Sequence, residues 1–350
     1  MEKTNLFGMS LDELFLLFDL FGEKKFRAKQ VLPWLYQKQV VDIDQMTNLS
    51  LELRHALKEV AEIRMFKGTK TFKSIDGSVK YLFTCDDGKE LESVYMPMRT
   101  GNTLCISSQV GCAQACSFCM TATMGFIRNL SPGEILAQVA SIVQDQQLES
   151  PFNIVMMGMG EPLLNIRNLE KSLAILFSPI GFDLSPKRVI VSTSGHVTNM
   201  KRLAGLPKRP RLAVSLNATT DEQRNEIMPV NQQWPIADLL QACRDFPLGS
   251  RDRITFEYVV MRGFNDTRAD AKRLVKLLEG IQSKVNLIPF NETPELPYRE
   301  PEVETLNMFQ EILNRSGLRN TIRWSKGRDI GAACGQLVVE TEKGKHRKSS

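Results

Sequence analysis

The chain has few histidines, no long apolar run and no paired metal-binding motif. Its three histidines (His55, His196 and His346) lie in no catalytic pattern, so no histidine general base is evident. No apolar stretch approaches the ~18 residues of a membrane span, so none is expected. The opening Met1-Glu2-Lys3-Thr4-Asn5-Leu6 lacks the basic-then-apolar order of a secretory signal, and a cytoplasmic protein is expected. Cysteines number seven, an odd count that, without a signal, speaks against a disulfide framework. The surplus of basic over acidic residues is only five, which permits a polyanionic partner without requiring one. No repeat at a solenoid period is visible.

What is present falls into segments. Residues 1–66 read as a small helical module. Ser10-Leu11-Asp12-Glu13 is a capping box before an apolar face of Leu11, Leu14, Phe15 and Phe18. Further helices are expected from Phe26 to about Lys38 and from Leu51 to about Ile63. Lys24, Lys25, Arg27, Lys29 and Lys38 are interleaved there, so RNA binding and plain packing are both open readings. Residues 67–100 read as an antiparallel extension, with Asp76-Gly77 and Asp87-Gly88 as hairpin turns.

Over 101–340, strands and helices alternate. Strands are expected at Thr103–Ser107, Asn153–Met157, Arg188–Thr193, Leu212–Leu216, Arg253–Met261 and Lys284–Pro289, with a strand-like Thr321–Trp324 after them. One helix begins at the capping box Ser131-Pro132-Gly133-Glu134, with Pro at its first position, and others are expected near 166–177, 196–204, 221–227, 235–245, 267–280 and 302–315. Six β/α units imply a parallel sheet covered by helices, either a barrel or part of one. Residues 341–350 form a basic tail. Other basic clusters are Lys187-Arg188, Lys201-Arg202, Lys208-Arg209-Pro210-Arg211 and Lys326-Gly327-Arg328; a solvated surface and an RNA contact around the barrel mouth are both readings of them.

Four constellations carry chemistry. Cys112-Ala113-Gln114-Ala115-Cys116-Ser117-Phe118-Cys119 lets three thiolates converge just after the first barrel strand, at the strand ends where barrel enzymes place their sites. Three thiolates leave one iron of a four-iron cluster free for another ligand. The competing reading is a structural zinc with a fourth ligand elsewhere, although no second cysteine pair is present. Gly158-Met159-Gly160-Glu161-Pro162 follows the second strand; its glycines permit close backbone approach, and Glu161 suits an ammonium group. Ser192 through Gly195, Ser215-Leu216-Asn217 and Asn291 put small polar groups at the ends of later strands, which points to one shared pocket. Cys334 lies among small residues in Gly331-Ala332-Ala333-Cys334-Gly335, so either a substrate approaches its sulfur or it is a packing cysteine. Cys105 has the same two readings, and Cys85 and Cys243 read as packing residues.

The C-x3-C-x2-C motif with the Gly-Glu-Pro element resembles the radical-SAM superfamily. Longer segments resemble one group within it, the RlmN/Cfr family of RNA adenine methyltransferases. These are Leu104 through Cys112, Met156 through Asn165, Arg188 through Gly195, Arg224 through Asn231, Asp329 through Leu337 and Glu92 through Pro97, and the likeness runs over nearly the whole length. It implies an α/β fold: a radical-SAM partial (β/α)6 barrel with a small N-terminal helical domain and a short antiparallel β extension. It implies a [4Fe–4S] cluster on Cys112, Cys116 and Cys119, and S-adenosylmethionine held by Gly160, Glu161, Ser192, Ser215, Leu216, Asn217 and Asn291. Two S-adenosylmethionines would serve each turnover. One methylates Cys334; the other, on the open iron, yields a 5′-deoxyadenosyl radical that removes hydrogen from that methyl.

In the family's scheme the resulting carbon radical adds to C2 of an adenine and links protein to RNA. An electron and the C2 proton then leave, with Glu92 the implied proton acceptor. A transient Cys105–Cys334 disulfide releases 2-methyladenosine. The implied substrates are adenosine 2503 of 23S rRNA and adenosine 37 of certain tRNAs. The implied reductant is of flavodoxin type, and a monomer is expected. Asn217 departs from the histidine common among relatives. A Cfr-like C8 methyltransferase shares the cysteines; Val110, Gly160-Glu161-Pro162 and Ser192 through Gly195 favour the C2 enzyme. A zinc-stabilised, non-enzymatic RNA-binding protein is the reading from another class.

Overall fold

The computed structural model describes residues 3–98, 101–149 and 151–339; the basic tail expected at 341–350 lies outside them. The chain opens with β1 (Thr4–Asn5), α1 (Leu11–Asp19), α2 (Phe26–Tyr36), α3 (Leu51–Val60) and β2 (Ala61–Glu62). Ser10 caps α1 as expected: its hydroxyl accepts from the Glu13 amide at 3.2 Å while its own amide donates to the Glu13 carboxylate at 2.8 Å. Leu14, Leu17 and Phe18 are buried, so the inward face is rotated slightly from the expected one. β2 pairs in parallel with β1, a contact too short to read from periodicity. Gly8 donates to the Tyr36 hydroxyl at 2.9 Å, and the apolar core of this module runs without a break into that of the barrel.

β3 (Gly68–Lys73), β4 (Val79–Thr84) and β5 (Glu90–Met96) form the expected antiparallel meander. There follow β6 (Thr103–Cys105), β7 (Gln109–Gly111), α4 (Met120–Thr123), β8 (Phe126–Asn129), α5 (Pro132–Asp145), β9 (Asn153–Met156), α6 (Ile166–Leu176), β10 (Val189–Thr193) and α7 (Val197–Ala204). Next come β11 (Arg211–Ser215), α8 (Asp221–Ile227), α9 (Ile236–Arg244), β12 (Ile254–Val260), α10 (Arg268–Leu277), β13 (Ser283–Pro289), α11 (Val303–Arg315) and β14 (Asn320–Ile322). Ser131 caps α5 with Glu134 and with Pro132 in its first turn.

One sheet of ten strands carries most of this, in the order β14-β13-β12-β11-β10-β9-β6-β5-β4-β3. The strands from β6 and β9 through β14 are all parallel. β3 and β14 are its two ends, so the barrel is partial. The meander continues the same sheet, since β5 pairs antiparallel with β6 and Val94 faces Cys105. Leu212, Val214, Ile254, Phe256, Val285 and Leu287 on the parallel strands are all buried, as a sheet packed against helices requires. No helix among the described residues is long and apolar enough to cross a membrane.

The segment after β6 differs from expectation. The cysteine loop does not follow the first barrel strand directly: β7 intervenes, and the loop lies between the two arms of the β7–β8 hairpin. Ser107 leaves the sheet to donate its amide to the Gln138 side chain at 2.7 Å, and Cys112 follows β7. Gly111, at φ +72°, lets the two hairpin arms meet; a Cβ there would sit 1.9 Å from the Gly125 carbonyl oxygen. A strand of three residues ending in glycine carries no readable alternation, which is why the hairpin escapes the sequence pattern.

Candidate active site

The strand ends converge on two adjoining cavities. The larger, of about 940 Å³, is lined by Cys112, Cys116 and Cys119 on one wall. Gly160, Glu161, Ser192, Ser215, Asn217 and Asn291 line the rest. The smaller, of about 590 Å³, is lined by Cys105 together with Met96, Met98, Arg323 and Trp324. Cys334 borders both cavities, and it is the only one of the seven cysteines to do so. Cys85 and Cys243 are buried, and every cysteine is a free thiol.

The donor set fits a cluster. Burial pushes the Cys112 thiol up to about 12, and the charge of Cys119 adds to it. Cys116 rises further, from burial first and then from repulsion by Cys119 and Cys112. Cys112 and Cys116 held in this way ionise only against strong positive charge, which iron supplies. Three thiolates on one short loop, with no second cysteine pair in the chain, fit a cluster that takes each thiolate on a separate iron.

Glu161 is held as a rigid acceptor. One carboxylate oxygen accepts from the Leu163 amide at 3.0 Å; the other accepts from the amide and hydroxyl of Ser194 at 2.7 and 2.8 Å. Burial raises its pKa while these donors oppose the rise. Its own amide donates to Gln109 at 2.9 Å. The turn before it requires glycine: Gly160 has φ +97°, and a Cβ there would lie 2.5 Å from that of Gln109. Gly160→Ala is therefore expected to destabilise the fold by about 1–3 kcal/mol. Urea denaturation checks this; an unchanged midpoint would contradict it.

Of the other expected contacts, Asn217 and Asn291 line the larger cavity and Leu216 does not. Leu216 is buried and lines neither cavity; its amide donates to the Glu257 carbonyl at 3.0 Å and its carbonyl accepts from Arg224 Nε at 3.1 Å. Asn217 lines the larger cavity at φ +59°, a conformation that asparagine tolerates better than most residues. Its side-chain oxygen already accepts from the Val259 amide at 2.9 Å, so in this structure it bridges β11 to β12. Asn291 donates to the Cys334 carbonyl at 3.1 Å and to the Ser325 hydroxyl at 2.9 Å, which ties the far wall of the cavity to the Cys334 loop.

Cys334 is exposed to both cavities. The surrounding protein still raises its pKa by desolvation, and Arg323 works against that rise. Cys105, buried at the end of β6, is pushed up to about 12 by burial. The Cys334 loop is stapled on both flanks. On one, Asp329 accepts from the Ser74 hydroxyl at 2.6 Å and the Ile75 amide at 3.1 Å, and the Gly327 amide donates to Asp76 at 2.9 Å. On the other, the Val338 amide donates to Glu92 at 2.9 Å, and Thr121 donates to the Leu337 carbonyl at 2.6 Å. Glu92 lines neither cavity. It is buried, raised by burial, and paired with Lys80 at 2.9 Å.

The comparisons agree with this geometry. Residues 4–63 match the ribosomal RNA large subunit methyltransferase N-terminal domain, and residues 106–277 match the radical-SAM superfamily. A dual-specificity RNA methyltransferase RlmN from Syntrophotalea carbinolica is 49% identical over 96% of this chain and 90% of its own length. The protein of that name from Geobacter sulfurreducens is 48% identical over 94% and 91%. The chain belongs to the RlmN family. A radical SAM methyltransferase from Sphaerobacter thermophilus superposes with a TM-score of 0.91 at 40% identity, covering 96% of this chain and all of that one.

Within an RlmN-family site, several residues here carry geometry that sequence reasoning left without a role. Arg224 is fully buried, with Nε on the Leu216 carbonyl, one terminal nitrogen on Asn231 at 2.9 Å and the other on the Ser194 and Ser215 carbonyls at 2.5 and 3.2 Å. Its motif was visible, but its partners are backbone oxygens on two other strands, which no local pattern reveals. Ser194 Oγ also lies 3.0 Å from the Gln114 side-chain amide, which ties the cysteine loop to the end of β10. The basic clusters are also placed differently from the expected barrel mouth. Lys187-Arg188 and Lys208 through Arg211 precede β10 and β11, at the end of the barrel opposite the cysteines. Arg202 pairs with Glu170 and Arg328 with Glu300, while Lys326 reaches the smaller cavity.

The Asp76 staple has a pH signature. Burial would raise its carboxyl, but the Gly327 amide and the donors of Ser78 and Ser74 outweigh that and hold it at about 2. The depressed value means that its stabilisation is complete above the ordinary carboxyl pKa of about 4 and is lost as pH falls through about 2. The urea midpoints of wild type and Asp76→Asn should differ at pH 5–8 and converge as pH drops through that window. A constant gap would contradict the assignment.

Proposed function

We propose that the protein methylates C2 of adenosine in RNA, at adenosine 2503 of 23S rRNA and adenosine 37 of tRNAs, by way of a methyl group carried on Cys334. One observation carries this reading: Cys334 is the wall between a cavity lined by the three motif cysteines and a cavity lined by Cys105. When bound, the cluster and two S-adenosylmethionines, with a flavodoxin-type reductant, supply a methyl cation equivalent and a hydrogen-abstracting radical. Cys112, Cys116 and Cys119 hold the cluster. Glu161, Ser192, Ser215 and Asn291 line the space for the cofactor, with Glu161 facing its ammonium group. C2 of adenine is an electron-poor amidine carbon that does not attack a sulfonium methyl, so a relay through sulfur is needed. Cys334 takes the methyl facing the larger cavity; after giving one hydrogen atom to the abstracting radical, its carbon would bond to C2 of a base in the smaller cavity, and the adduct would give up one electron to the oxidised cluster–reductant pair and the C2 proton to Glu92. Cys105 then attacks the Cys334 sulfur. The sulfur–carbon bond breaks, its electron pair stays with carbon and takes up a proton, and the two sulfurs are left as a disulfide.

Glu92 is assigned the C2 proton. To take it, the carboxylate must exchange the Val338 amide for the substrate, so the loop that carries Cys334 moves when the proton leaves. Nucleoside mass spectrometry of RNA after reaction tests the whole reading. 2-Methyladenosine is expected from wild type and none from Cys334→Ala. 8-Methyladenosine alone would assign the C8 chemistry instead. A colourless protein holding one zinc and cleaving no S-adenosylmethionine would remove the enzyme reading.

A further inference from the structure

The smaller cavity contains an unclaimed cation. Arg323 follows β14, and its amide donates to the Leu287 carbonyl at 2.8 Å. Its side chain lines the cavity beside Cys105, Cys334 and Trp324. Among the described residues its guanidinium has one close partner, the Met157 sulfur at 4.0 Å, which is a weak acceptor. No carboxylate forms an ion pair with it, although Glu257 acts on it electrostatically, as do Cys334 and Cys105. Glu257 gives one oxygen to Asn286 at 3.0 Å, and the other is buried without a partner. A planar fork of five donors therefore faces a cavity with almost nothing to donate to.

We infer that Arg323 donates a hydrogen bond to a ring nitrogen next to the target carbon of the adenine, and so speeds the step that joins the base to the Cys334 methylene. This rests on the reading that an RNA base enters the smaller cavity. C2 of adenine is flanked by N1 and N3, both acceptors. A carbon radical next to sulfur is electron-rich and adds fastest to an electron-poor ring. In the step, one bond forms between the methylene carbon and C2. No group leaves, and the unpaired electron passes into the ring, largely onto the flanking nitrogens. A guanidinium bonded there binds the transition state more tightly than the free base, which is the condition for catalysis. Trp324, half exposed at the same wall, offers a face on which the base can stack.

The test compares wild type, Arg323→Gln and Arg323→Lys in the cluster-loaded enzyme. RNA carries adenosine, 1-deazaadenosine or 3-deazaadenosine at the target. Methylation of Cys334 is read by protein mass spectrometry, and product by single-turnover nucleoside analysis. Arg323→Gln should slow product formation about 100-fold, far more than any slowing of Cys334 methylation that follows from removing the positive charge beside its sulfur, with Arg323→Lys recovering part of the loss. With one of the two deaza RNAs, wild type and Arg323→Gln should react at equal rates, because the nitrogen that Arg323 contacts is gone. Loss of Cys334 methylation in step with product would overturn the inference and assign Arg323 to the thiol. An equal penalty on all three RNAs would also overturn it. A wild type that never methylates Cys334 would instead remove the relay reading beneath it.

Discussion

Cys105→Ala protein should accumulate RNA bonded to Cys334. Cys105 is buried at the end of β6 and shares the smaller cavity with Cys334, with no other cysteine lining it. On the proposed reading, release after the Cys334 methylene has joined the base requires a second sulfur, and Cys105 is the cysteine that shares the cavity with it. The expected product is a thioether-linked adduct that survives denaturation and thiol reductants, since both spare a carbon–sulfur bond. Turnover should stop at or below one equivalent. Removing one buried sulfur costs no more than about 1–2 kcal/mol, so the variant remains folded and the adduct is observable. Denaturing electrophoresis followed by peptide mapping checks it. Free methylated RNA formed over many turnovers by Cys105→Ala would rule out the assigned role. Cys105→Ala/Cys334→Ala should give neither adduct nor product.

The largest structural effect is expected at Arg224. Its guanidinium is fully buried and joins the Leu216, Ser194 and Ser215 carbonyls to Asn231, so it closes the ends of β10 and β11 beneath the cofactor cavity. Desolvation lowers its pKa to about 10, with the charge of Cys116 opposing. It therefore stays charged at neutral pH, and the anionic sulfurs of an assembled cluster are a natural counter-charge. Arg224→Leu leaves buried carbonyls without donors, at a cost of about 3–5 kcal/mol. Chemical denaturation measures that loss directly. Arg224→Lys should fall between, since one ammonium cannot reach all four oxygens. A leucine variant as stable as wild type would mean that water replaces the guanidinium, and the strand ends would then not depend on it.

The parallel strands and their helices were legible because each repeats one apolar pattern of readable length, and the capping boxes at Ser10 and Ser131 fixed two helix starts to the residue. The three motif cysteines and Glu161 were legible because their spacing is local. The pairing of β5 with β6 was not, since which strands become neighbours within a sheet leaves no mark on composition. Nor were the partners of Arg224 and Arg323, whose meaning lies in groups brought together from distant strands. Glu92 shows the limit from the other side. The family likeness picked out the residue, and only the structure shows that its carboxylate is engaged with Lys80 and Val338.

The staple between Ser74 and Asp329 joins residues 255 positions apart. A chain made from its N-terminus completes the meander, the cysteine loop and most of the sheet before Asp329 exists. The segment bearing Cys334 is thus seated late, onto a surface already formed, and contacts of such long separation are slow to close. On the proposed reading, a chain cut short before this point would hold the three motif cysteines and lack Cys334, so the relay could be completed only after the last strand and the loop beyond it were made.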